Sequence, residues 1–102
     1  MSKVKEGSKT KTNTEVKHPK LYKVLLLNDD FTPMDFVTYV LTNLFGHSET
    51  DAVEIMFKVH HEGLGLAGIF PLEVAEMKVL QVSQLSKKNG HPLKSTIDEV
   101  GE

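Results

Sequence analysis

The sequence predicts a small α+β domain of order β-α-α-β-α-β, with a three-stranded sheet packed against three helices, on three observations. Three runs of strand length, at 21–27, 64–70 and 93–98, are separated by stretches of helical periodicity. Two of the helical stretches follow one another across a very short turn. A chain of 102 residues has room for one domain with one core.

Each element has its own grounds. In "LYKVLLL" at 21–27, Tyr22, Val24 and Leu26 share one face, while Leu21, Leu25 and Leu27 share the other with Lys23, as expected of a central strand. "NDD" at 28–30 supplies turn residues. "TPMD" then opens a helix, with Thr32 as N-cap, Pro33 at the first helical position and Asp35 in the first turn, where an acid favours the dipole. Val37, Val40, Leu41, Leu44 and Phe45 continue at helical spacing to Gly46. Ser48 caps a second helix, whose stripe of Ala52, Val53, Met56, Val59 and His60 ends at Gly63. "LGLAGIF" at 64–70 is a strand whose Gly65 and Gly68 point to close backbone approach or a bulge. Pro71 opens the third helix, with Leu72, Ala75, Val79, Val82 and Leu85 inward, lysines at 87 and 88, and Asn89-Gly90 as its stop. A last strand is expected over Leu93–Asp98.

Charge divides the chain in two. Residues 1–20 hold six lysines and two glutamates among polar residues with almost no large apolar side chain, so a disordered arm is expected there, with the folded domain over 21–102. The formal net charge of the whole is −2, so this basic arm precedes an acidic body. There is no arginine, the side chain best suited to reading guanine and phosphate, which argues against nucleic acid as the partner. Zero cysteines exclude disulfides and thiolate metal sites, and no apolar stretch approaches membrane-spanning length. A cytoplasmic protein that needs neither membrane nor cofactor is the expectation.

Two constellations could carry chemistry. Asn28, Asp29 and Asp30 stand where a buried strand ends and a helix begins, as turn residues bonding nearby amides or as a cluster of acceptors awaiting a cation. Met56, Val59 and His60 share one helix face, as core with a boundary imidazole or as a pocket wall with one polar group at its rim. A metal-dependent hydrolase using Asp29, Asp30 and His60 is the enzymatic alternative. His60 and His61 point about 100° apart on a helix, however, and the HExxH spacing is missing. No glycine-flanked serine elbow supports a serine hydrolase.

Taken together, "YKVLLLNDDFTPMDFV", "MFKVHHEG", "GIFPLEVAEMKV" and "HPL" resemble the ClpS family of bacterial Clp protease adaptors in order and spacing from about Leu21 to Val100. The resemblance implies a domain similar to the C-terminal domain of the ribosomal stalk protein, and a task without catalysis. It implies that Asn28, Asp29 and His60 hold the free α-amino group of an N-end-rule substrate, with Asp30 supporting the turn. The first side chain, Phe, Tyr, Trp or Leu, would enter a pocket of Thr32, Pro33, Met34, Val37, Met56, Val59 and Leu93. Glu73 and Lys78 would dock on the N-terminal domain of a ClpA-type or ClpC-type AAA+ unfoldase. Family members often carry cysteine where Ala67 stands here and near Ser95, which implies altered packing. A stalk-like interaction domain in translation is a third reading, suggested by fold alone.

Overall fold

The computed structural model describes residues 20–101. The arm expected over 1–20 lies outside them except for Lys20, whose ammonium stands 3.3 Å from the Glu99 carboxylate. The elements run β1 (Leu21–Leu27), α1 (Met34–Asn43), α2 (Glu49–Glu62), β2 (Leu64–Pro71), α3 (Leu72–Lys88) and β3 (Lys94–Glu99). The predicted class and element order are those observed.

β1 is the middle strand of an antiparallel sheet ordered β2-β1-β3. Its position explains its composition. Val24 and Leu26 face the helices and are fully buried, and Leu25 on the opposite face is only 8% exposed between its cross-strand partners Leu66 and Thr96. The outer face is otherwise open, with Leu21, Leu64, Leu66 and Ile69 all exposed. The core lies on the helical side, where Leu26 and Ala67 of the sheet meet Val37, Val40, Leu41, Ala52, Met56, Val59 and Val82.

Gly65 makes the expected close approach, and the expected bulge falls at Ala67, next to Gly68. A Cβ on Gly65 would stand 2.7 Å from Val59 Cγ2 and 3.2 Å from the Ile55 carbonyl oxygen, so its bare backbone lets α2 lie close on β2. A bulge interrupts the β1–β2 register between Val24 and Leu25, whose partners are Gly68 and Leu66, so Ala67 is the extra residue. His47 completes the bulge. Its Nε2–H donates to the Ala67 carbonyl at 2.5 Å, tying the α1–α2 turn to β2.

Two helix starts differ from the sequence reading. Ser48 caps α2 as predicted, accepting from the Asp51 N–H at 3.1 Å. Thr32 does not cap α1. The N-cap is Pro33, without a side-chain bond, because the Thr32 hydroxyl is turned back to Asp29. α1 also ends at Asn43 rather than at Gly46, Pro71 stands at the N-cap of α3, and β3 begins one residue after Leu93.

Candidate functional site

The turn after β1 is organised by one carboxylate. Asp29 Oδ1 accepts from the Phe31 N–H at 2.8 Å and the Thr32 N–H at 2.7 Å, while Oδ2 accepts from the Thr32 hydroxyl at 2.7 Å. The turn-supporting role expected of Asp30 therefore falls to Asp29, because only Asp29 precedes the two free amides at hydrogen-bonding separation. Partial burial pushes the Asp29 carboxyl up, but the bonds from Thr32 and Phe31, with the nearby His91 charge, outweigh it and hold its pKa below the ordinary 3.8. Asp29 is thus an ionised group fixed in place.

A backbone bond joins this turn to α2. The Asn28 N–H donates to the Gly63 carbonyl at 2.9 Å, and Gly63 closes α2 in the left-handed conformation at φ 91°. The end of β1 and the last turn of α2, which carries His60, are thereby held together. Between them opens a cavity of about 200 Å³ lined by Asn28, Asp29, Asp30, Thr32, Met34, Val37, Met56, Val59 and His60.

The cavity is divided by chemistry. Val37, Met56 and Val59 are 7%, 7% and 2% exposed and form an apolar wall continuous with the core. Asn28, Asp30 and His60 are exposed around the mouth, and Asp29 is half-buried beside them. An apolar interior rimmed by an amide, carboxylates and an imidazole suits a ligand with an apolar side chain and a donor-rich polar end. Met34, 43% exposed, is an unbranched and adaptable side chain at this rim.

The structure brings together nine of the predicted residues and leaves four elsewhere. Leu93 is 3% exposed and packs within the core cluster rather than lining the cavity. Pro33 lines a separate concavity together with Asp35, Phe36, Tyr39, Asn89 and His91. Glu73 is exposed in the first turn of α3. Lys78 turns inward. Its ammonium donates to the Leu44 carbonyl at 2.6 Å, beyond the end of α1, and stands 5.7 and 5.9 Å from the Phe45 and Phe70 ring centres.

The metal-hydrolase alternative does not fit this geometry. Among the described residues no group of three or more His, Cys, Asp or Glu side chains is placed to hold an ion. Asp29 is held in its own turn through both carboxylate oxygens. Sequence reasoning did not connect His91 with this turn; it packs on Phe36 with ring centres 4.5 Å apart and contributes to holding Asp29 ionised. Its only sequence signal was its place in "HPL", far from the turn it serves.

A small α+β domain with such a rimmed cavity has the build of a recognition domain. The family model for the ATP-dependent Clp protease adaptor protein ClpS matches residues 17–96, and the chain belongs to this family of Clp protease adaptors. The chain is 59% identical over 81 residues to the adapter protein ClpS of Bdellovibrio bacteriovorus, covering 79% of this chain and 71% of that one. It is 46% identical over 94 residues to that of Shewanella denitrificans, covering 92% of each. Among solved structures, Agrobacterium tumefaciens ClpS2 bound to L-phenylalaninamide superimposes with a TM-score of 0.78 at 40% identity, covering 81% of this chain and all of that one. Among the described residues no helix is long and apolar enough to cross a membrane.

Proposed function

We propose that this adaptor binds the free α-amino group and the large apolar first side chain of N-end-rule substrates, preferring Phe, Tyr, Trp and Leu. It then passes them to a ClpA-type or ClpC-type unfoldase. The observation that carries this reading is the single cavity that joins Met34, Val37, Met56 and Val59 to Asn28, Asp29 and His60. The ligand of the Agrobacterium relative supports it, since L-phenylalaninamide presents the amine and benzyl group of an N-terminal phenylalanine.

The chemistry is that of amine capture. An α-amino group titrates near about 7.7–8.0, so at neutral pH it is mostly a cation with three N–H donors. Asn28 offers a carbonyl oxygen, Asp29 a fixed negative charge, and His60 a lone pair while its ring is neutral. Burying the side chain adds roughly 1.5–3 kcal/mol for a Leu or Phe, which selects large apolar residues over Ala. β-branched Ile and Val are expected to fit this cavity less well than Phe or Leu. For delivery, exposed Glu73 makes the direct contact with the unfoldase N-terminal domain, and Lys78 supports that surface by holding α3 against the end of α1.

Titration with a Phe-initiated peptide and its N-acetylated twin tests this reading. Acetylation removes the charge and two donors and leaves acceptors unpaired, so the twin is expected to bind at least about tenfold more weakly. Equal binding of the two would overturn the proposal.

A further inference from the structure

We infer that the exposed pair Phe57 and His61 on α2 are positioning residues for His60, holding its imidazole in the orientation from which it accepts a bond from a bound amine. This inference rests on the amine-capture reading of the neighbouring cavity.

A neutral imidazole carries its free lone pair on one of its two ring nitrogens, so it accepts a hydrogen bond from one direction only. Such a bond weakens steeply as its angle falls towards about 120°. An acceptor ring at the mouth of a cavity therefore needs something to fix its torsions, and His60 is exposed there. His47 has the Ala67 carbonyl for that purpose. Among the described residues the His60 side chain has no such bond. The ring set against it is that of His61, 5.2 Å away between centres and inclined at 69°, edge against face.

Helix geometry puts this second ring in place. Residues four apart lie one above the other, so Met56 and His60 form one stripe of α2 and Phe57 and His61 form the next. The first stripe lines the cavity and the second does not. Phe57 and His61 instead stack on each other, with ring centres 6.0 Å apart and planes inclined at 16°. Phe57 is 45% exposed, so this stack lies on the surface beside the site and not in the core. Stacking restricts His61, and the edge-to-face contact passes the restriction on to His60. Freed of its neighbour, His60 would visit rotamers that turn a C–H or N–H towards the amine. A ring already fixed before the ligand arrives spares binding the cost of ordering it.

The test uses the full chain at about pH 7.5, where an ordinary imidazole is mostly neutral and an α-amino group mostly charged. Its ligands are a peptide beginning Phe-Ala-Ala and the N-acetylated twin. His61→Ala and Phe57→Ala are each expected to bind the free peptide roughly two- to tenfold more weakly. His61→Phe keeps a ring beside His60 and should bind within about twofold of the parent. In a His60→Ala background, adding His61→Ala should change nothing, because the ring it positions is gone. Unaltered binding by His61→Ala or Phe57→Ala would overturn the inference. So would a loss that persists in the His60→Ala background or that His61→Phe shares, since His61 would then act on the ligand by a route other than His60. Those results leave amine capture standing. If the parent binds the peptide and its acetylated twin alike, amine capture itself fails and the positioning role falls with it.

Discussion

The turn after β1 and the start of α3 both carry charges that look alike in the sequence, yet they use them in opposite directions. Around Asn28–Asp30 the polar groups converge from the strand end and from α2 on one cavity, and the Asn28–Gly63 backbone bond holds the two sides together. On α3 the two predicted docking charges diverge. Glu73 faces solvent, whereas Lys78 bonds the Leu44 carbonyl and stands over Phe45 and Phe70. A binding site shows itself by convergence of separate segments, and a charge on a helix shows nothing until its partner is known.

Breaking the turn should have the largest effect. Asp29→Ala removes the acceptor of two backbone amides and one hydroxyl, and with it the charge proposed to face the amine. Phe-initiated peptides are expected to bind at least about 100-fold more weakly, with about 1–2 kcal/mol lost from stability. Peptide titration beside urea denaturation reads both. Undiminished binding would mean that the turn is structure without function.

Gly65→Ala tests the other side of the cavity. The added methyl must push Val59 and the Ile55 carbonyl away, so α2 lifts from β2. A loss of about 1–3 kcal/mol is expected, accompanied by weaker binding of Phe-initiated peptides because Val59 and His60 move together. A variant of parental stability and affinity would show that this close approach does not shape the cavity.

Lys78→Met and Glu73→Ala separate the two α3 charges. The first loses the bond to the α1 end and is expected to cost about 1 kcal/mol in urea denaturation. Glu73→Ala should leave stability within about 0.5 kcal/mol while weakening capture by the unfoldase N-terminal domain. If Lys78→Met left stability untouched and abolished capture, Lys78 would be the docking charge after all.

The Ser48 cap, the Gly63 stop, the face shared by Met56, Val59 and His60, and the close approach at Gly65 were legible in the sequence, because each depends on spacing within one element. Thr32 was misread because two acceptors compete for it, the amides of its own helix and the carboxylate three residues back, and the carboxylate won. Leu93 was placed one layer too far out, since a sequence does not reveal which of two apolar residues stands in front. Lys78 and His91 act on partners 34 residues away and on a separate segment respectively, beyond the reach of any local pattern.

The smallest effect separates the turn from the rest of the acidic surface by pH. The folded-state pKa of Asp29 is depressed below 3.8, so its contribution to stability is fully present above the unfolded value and is lost as pH falls through the folded one. In Asp29→Asn that dependence should vanish, and the difference in stability between parent and variant should narrow as pH drops below about 4. Denaturation series at pH 7, 4 and 3 on both proteins supply the measurement. A difference that stayed constant across the series would mean that Asp29 is stabilised by its shape as an acceptor and not by its charge, and the fixed anion facing the amine would have to be sought in Asp30.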